Sequence, residues 1–144
     1  MWDRILDASI VASFDARGFV RHQEEFDETD LDVDLSGQSF AITGANSGIG
    51  FATAQGLAAK GATVCLLCRN EERGQKACES IASQFPGADC HLEIVDVSIM
   101  QSTRDFIERF DVTQLNGLIL NAGVLPKERS ETDEGVEVTF ATNV

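Results

Sequence analysis

A glycine-rich segment at residues 43–50, Thr-Gly-Ala-Asn-Ser-Gly-Ile-Gly, places the strongest constraint on the fold of this chain. The apolar run before it predicts a buried strand at 39–43, and the sequence after it predicts a helix over 47–60. A strand, a glycine-rich turn and a helix in this order can hold a phosphate on backbone amides at the helix N-terminus. The segment therefore predicts a dinucleotide site. A turn with only a packing role is the alternative.

Each small or polar residue of this segment has a physical reason to be there. Gly44 permits the tight turn, Gly48 lets the backbone approach a pyrophosphate, and Gly50 lets the helix pack close to the sheet. Ser47 can donate its hydroxyl to a phosphate, and Asn46 can hold the turn through its own side chain.

The rest of the chain alternates between strands and helices. Strands are predicted at 63–68, 91–95 and 115–121, and helices at 71–84, 98–110 and 133–144. The strand at 63–68 lacks polar alternation, which is typical of a parallel strand covered on both faces. Ser98 and Gln101 predict a capping box at the start of the third helix. The pattern predicts an α/β fold with a Rossmann-type, doubly wound parallel sheet whose strands are ordered third, second, first, fourth.

Polar residues follow the predicted strands at their carboxyl ends, where ligands bind in parallel sheets. Arg69 follows the second strand. At this position, a site for a dinucleotide with a free ribose 2′-hydroxyl has Asp or Glu. A guanidinium there matches a 2′-phosphate and indicates NADP(H), whereas pairing with Glu71 or Glu72 is the alternative. Asp96 follows the third strand and Asn121 the fourth. Their alternative roles are stabilising the next helix, for Asp96, and forming a turn, for Asn121.

The first 36 residues differ in charge from the rest. They hold ten carboxylates against three arginines, in a chain of net charge −13. This balance argues against nucleic acid and anionic membranes as partners. Apolar residues at helical spacing predict a helix over 2–14, ending near Gly18, that packs on the main domain or docks on a membrane or partner. Residues 24–34 predict a solvated linker, so we expect one domain at 1–36 and another at 37–144.

Cysteine usage argues against a metal site. Cys65 and Cys68 have the spacing of a redox or zinc pair, but residues three apart in a strand point to opposite faces. No second Cys or His pair at ligand spacing accompanies them, so the sequence predicts free thiols. Without a secretory signal or an apolar run of about 20 residues, the sequence predicts a cytoplasmic protein.

Together these motifs resemble the successive signatures of the short-chain dehydrogenase/reductase family over residues 36–144. The motifs are 43–50, Arg69, Asp96-Val97, Asn121-Ala122-Gly123 and Asn143-Val144. Residues 14–37 are similar to the leader of the member-12-like branch of that family, and the retinol-dehydrogenase-like branch is the next nearest in pattern.

The resemblance implies an NADP(H)-dependent oxidoreductase that acts on carbonyls or alcohols. The implied cofactor-binding residues are Gly44, Asn46, Ser47, Gly48, Ile49, Gly50, Arg69, Asp96, Val97, Asn121, Ala122 and Gly123. Asn143 matches the asparagine of the family's catalytic tetrad, which kinks a helix and holds a water in the proton relay. From the charge and the cysteine spacing we expect no nucleic acid and no metal, and a homo-oligomeric full-length form stays open.

The other tetrad members are a serine and a Tyr-x-x-x-Lys pair, but this chain has no tyrosine. The family tyrosine protonates the developing alkoxide, and such general acid–base catalysis is worth about 10²–10⁴-fold. We therefore expect the cofactor-binding part of a longer oxidoreductase, truncated and inactive by itself, with the fourth strand at an exposed edge. The alternative is a genuine short product that binds a nucleotide or a protein partner without catalysis.

Overall fold

The computed structural model describes residues 16–144 and divides the chain between Val33 and Asp34 into two units. In the first unit, helix α1 spans Ala16–Gln23 and a 3₁₀ turn spans Glu28–Leu31. Gly18 lies inside α1, so the prediction that a helix ends there is wrong. The helix predicted over 2–14 lies outside the described residues.

The second unit is built from four strands and four helices, with a 3₁₀ turn at Val112–Gln114. They are β1 (Ser39–Thr43), α2 (Gly48–Ala58), β2 (Thr63–Cys68), α3 (Glu71–Gln84), β3 (Cys90–Ile94), α4 (Met100–Arg109), β4 (Gly117–Ile119) and α5 (Val138–Asn143). All strand pairs are parallel, in the order β3-β2-β1-β4. This arrangement confirms the predicted fold class and strand order.

Two apolar cores lie on opposite faces of this sheet because strand side chains alternate. One core joins β1 and β2 to α2 and α3, with Ile42, Leu66 and Ile81 fully buried. The other joins the opposite faces of the same strands to α4 through Phe106. Helices therefore cover both faces of the sheet, as a doubly wound fold requires.

The thiols of Cys65 and Cys68 belong to different cores, as their spacing predicts. Both are free, and burial raises the pKa of Cys65 to about 12. The described residues contain no group of three side chains that could hold a metal ion.

Strand β4 is shorter than predicted and forms one edge of the sheet. Only its residues 117–119 pair with β1, and the side chains of Leu118 and Leu120 are 55% and 79% exposed. The predicted exposed apolar edge is therefore present. Within residues 16–144, no helix has both the length and the apolar character needed to cross a membrane.

The start of α4 differs from the predicted capping box. The Ser98 hydroxyl donates to Asp96 Oδ1 at 2.6 Å, and the Gln101 side chain bonds Asp105. The carboxylate of Glu134 instead accepts hydrogen bonds from the amides of Met100 and Gln101, at 2.8 and 3.1 Å. A carboxylate satisfies two orphan amides and complements the helix dipole, so this distant residue takes the place of the local cap.

Candidate dinucleotide site

A cavity of about 300 Å³ lies at the carboxyl end of the sheet, where the chain leaves β1 and β4 on either side of the switch point. Nine residues predicted for the site line this cavity: Gly44, Asn46, Ser47, Arg69, Asp96, Val97, Asn121, Ala122 and Gly123. The fold thus brings together side chains that are up to about 80 positions apart in the sequence.

Four other predicted residues do not line the cavity. Gly48, Ile49 and Gly50 form the first turn of α2, immediately after the lining residue Ser47. Asn143 lies at the end of α5, next to the lining residue Thr142.

The glycine turn has a backbone that favours glycine at two positions. Gly44 and Gly48 have φ angles of 67° and 58°, in the left-handed region that side chains disfavour. A Cβ built on Gly48 would have no other atom within 4 Å, so its backbone faces open space. A ligand can therefore approach the main chain closely at Gly48.

Helix α2 differs from its neighbours in how its first-turn amides are satisfied. Asn70 caps α3, Glu134 caps α4 and Glu137 caps α5, each through a side-chain oxygen. Ser47 is the N-cap residue of α2, but its side chain makes no capping hydrogen bond. No other side-chain oxygen among the described residues caps this helix. The amides at the N-terminus of α2 stay available to an anion beside the cavity.

Thr43 fastens the exit of β1 to the exit of β4. Its side chain is nearly fully buried, and its Oγ1 accepts hydrogen bonds from the amides of Asn121 and Ala122, at 3.0 and 2.9 Å. The Asn121 side chain completes the connection, since its Nδ2 donates to the carbonyl of Thr43 at 2.9 Å. Asn121 is therefore a structural residue of the site, and Thr43 is a member that sequence reasoning missed.

The lack of a side chain at Gly50 allows α2 to lie close to Asn121 and Gly44. A Cβ at this position would overlap Asn121 Nδ2 and lie 2.9 Å from the carbonyl oxygen of Gly44. This contact supports the predicted reason for a glycine, namely close packing of the helix against the end of the sheet.

Two guanidinium groups enter the cavity wall near the end of β2. Arg69 and Arg73 both line the cavity, and within residues 16–144 neither forms an ion pair. Glu72, a proposed partner of Arg69, instead pairs with Lys76 at 2.6 Å. Sequence reasoning missed Arg73, although its place in the first turn of α3, directly after the end of β2, was a usable signal.

Asp96 has a structural contact as well as a place in the cavity wall. Its Oδ1 accepts hydrogen bonds from the amide and hydroxyl of Ser98, at 3.0 and 2.6 Å. The alternative role, support of the turn into α4, is therefore present. The adenine contact implied for Asp96 and Val97 stays a prediction.

Asn143 holds the chain that follows the cavity-lining Ala122 and Gly123. Its Oδ1 accepts from the Val124 amide at 2.9 Å, and its Nδ2 donates to the Val124 carbonyl at 3.0 Å. The side chain thus fixes the position of this loop against α5. The catalytic role of Asn143 stays a prediction.

A parallel sheet with a glycine-rich turn and an uncapped helix N-terminus at its switch point defines a Rossmann-type nucleotide-binding fold. Residues 38–144 match the family model described as short chain dehydrogenase. The chain belongs to the short-chain dehydrogenase/reductase family, whose members bind nicotinamide dinucleotides.

Similar proteins agree with this membership. Dehydrogenase/reductase SDR family member 12 from Bos taurus is 40% identical over 127 residues, which cover 88% of this chain and 40% of that protein. L-sorbose reductase from Gluconobacter frateurii, solved with NADPH and L-sorbose, is 32% identical with a TM-score of 0.58, over 70% of this chain and 38% of that one. A Mycobacterium paratuberculosis protein is 31% identical with a TM-score of 0.67, over 76% and 38%. The chain thus spans about two fifths of these relatives.

Proposed function

We propose that residues 38–144 are the NADP(H)-binding portion of an oxidoreductase that acts on carbonyl or alcohol substrates. The choice of the phosphorylated cofactor rests on Arg69 and Arg73, two guanidinium groups that line one cavity and have no ion-pair partner in the described chain. An acidic residue would be expected in their place if the ligand carried a free ribose 2′-hydroxyl.

Different residues of the chain would bind the different groups of NADP(H). The uncapped amides of α2 hold the pyrophosphate, and Gly48 gives it room at the backbone. Arg69 and Arg73 hold the 2′-phosphate through charge-assisted hydrogen bonds. Thr43 and Asn121 would hold the ends of β1 and β4 together beside the bound ligand. When bound, the nicotinamide ring supplies or accepts the hydride.

Cofactor preference is the most direct measure of this proposal. We expect the chain to bind NADPH about 10–100-fold more tightly than NADH, because a charge-assisted contact contributes about 1.5–3 kcal/mol. Arg69→Asp should remove this preference by repelling the 2′-phosphate. The measurement is the dissociation constant of each nucleotide, from isothermal titration calorimetry.

Arg104→Asp is a control with the same change in net charge. Arg104 is exposed on α4 and does not line the cavity, so this variant should keep the NADPH preference. If Arg69→Asp and Arg104→Asp change the two affinities equally, the 2′-phosphate contact is refuted.

Binding without turnover is the second expected property of the chain. The 144 residues contain no tyrosine to protonate a reduced carbonyl, so NADPH consumption with ketone substrates should not exceed the protein-free rate. The measurement is the decrease in NADPH absorbance at saturating cofactor. A rate that rises in proportion to protein concentration would contradict the proposed inactivity while leaving the cofactor assignment intact.

A further inference from the structure

Cys78 and Cys90 form a close thiol pair outside the cavity. Cys78 lies on α3 and Cys90 is the first residue of β3, twelve positions further along the chain. Their sulfur atoms are 3.0 Å apart. Neither residue lines the nucleotide cavity.

Packing between α3 and β3 keeps this pair together. Gly74 lies one helical turn before Cys78 on the same face of α3. A Cβ at Gly74 would overlap the Leu92 side chain on β3, so the helix lies close against the strand. Because a disulfide has an S–S length of about 2.05 Å, the two sulfurs need to approach by only about 1 Å.

The hydrogen bond between the two thiols gives them different chemistry. Cys90 donates to the Sγ of Cys78, which lowers the pKa of Cys78 and raises the pKa of Cys90. Burial raises the pKa of both Cys65 and Cys68. Cys78 is therefore the cysteine of this chain that loses its proton most readily. Cys78 is buried, whereas Cys90 beside it is only half-buried, so we expect a small reagent to reach the pair from the side of Cys90.

We propose that Cys78 and Cys90 are a peroxide-sensitive dithiol that closes to a disulfide. The Cys78 thiolate attacks one oxygen of hydrogen peroxide, the O–O bond breaks, and a sulfenic acid and hydroxide form. The sulfur of Cys90 then attacks the sulfenic sulfur, and the displaced hydroxide takes up a proton to leave as water. Two thiols are oxidised by two electrons while one peroxide is reduced to two waters.

The cross-link would join two elements that lead to the cavity. Helix α3 begins directly after Arg69 and Asn70, and β3 ends just before Asp96. Closing a loop of this size restricts the unfolded chain, so we expect the oxidised form to melt about 5–10 °C higher than the reduced form.

Peroxide treatment of the 144-residue chain followed by peptide mapping tests this proposal. Trypsin leaves Cys78 and Cys90 in one peptide, 77–104, and Cys65 and Cys68 in another, 61–69. We expect the first peptide to lose two hydrogens and to resist alkylation, while the second is alkylated twice. Cleavage after Glu79 and Glu93 should then leave fragments 77–79 and 80–93 joined until reduction.

Two variants separate the roles of the thiols. Cys90→Ala removes the resolving thiol, so Cys78 should accumulate as a sulfenic acid that dimedone traps, without an increase in melting temperature. Cys65→Ala is the matched control and should still form the cross-link, because Cys65 lies in the core on the other face of the sheet. Pairing of Cys65 with Cys68, a cross-link between chains, or four free thiols at peroxide excess would each overturn the proposal.

Discussion

Replacement of Gly50 by alanine is expected to weaken NADPH binding by more than about tenfold and to destabilise the chain by about 1–3 kcal/mol. The added Cβ would overlap Asn121 Nδ2 and press on the carbonyl oxygen of Gly44. Neither neighbour can move freely. The Asn121 side chain is hydrogen-bonded to Thr43, and the Gly44 carbonyl belongs to the backbone of a tight turn. The strain is relieved by shifting α2 away from the sheet, which moves its uncapped amides out of position.

Gly56→Ala is a matched control in the same helix. A Cβ at Gly56 would meet no atom within 4 Å, so this change should leave binding intact and stabilise the helix by about 0.5–1 kcal/mol. Urea unfolding and NADPH titration of both variants provide the comparison. Equal behaviour of Gly50→Ala and Gly56→Ala would show that close packing at Gly50 does not matter.

Local sequence patterns predicted most of the sheet and of the cavity. The apolar run at 63–68 matched β2 residue for residue, since a strand buried on both faces needs no polar positions. Arg69, Asp96 and Asn121 were found because parallel strands end at one edge of a sheet. The alternation of strands and helices then fixed the strand order through right-handed crossovers.

Contacts between distant residues could not be predicted in this way. Thr43 accepts hydrogen bonds from amides 78 and 79 positions away, and the glycine-rich segment that it begins does not indicate which distant amides its hydroxyl would meet. Glu134 caps α4 from 34 positions away, and the local pattern instead favoured a capping box. Helix α4 begins one residue later than that box requires, because Ile99 and not Ser98 is its N-cap residue.

Several residues of the site have two roles. Asp96, Asn121 and Asn143 line or border the cavity, yet each holds backbone through hydrogen bonds in the protein alone. A substitution at any of these positions therefore changes both the shape of the cavity and its contacts with a ligand. Arg69 and Arg73 differ from them because no other described residue uses their charged groups, which makes their variants the cleaner tests of ligand recognition.

Thr43→Val is expected to destabilise the chain by about 2–4 kcal/mol, because two part-buried amides lose their acceptor and each unsatisfied group costs about 1–3 kcal/mol. Valine keeps the shape of threonine, so the loss isolates the hydroxyl. Nucleotide affinity should decrease as well, since the Asn121-Ala122 segment would no longer be held against the glycine turn.

Thr43→Ser retains the oxygen and should keep both amide bonds, with a loss limited to one methyl group of about 1 kcal/mol or less. Thr53→Val controls for the chemical change itself, because the Thr53 hydroxyl donates only to the carbonyl of Ile49 within α2. Urea unfolding should show that Thr43→Val is much less stable than Thr43→Ser and Thr53→Val. The NADPH affinities of the three variants should follow the same order. If Thr43→Val is as stable as Thr53→Val, the Thr43 hydroxyl does not anchor this junction, and its hydrogen bonds to Asn121 and Ala122 are without energetic weight.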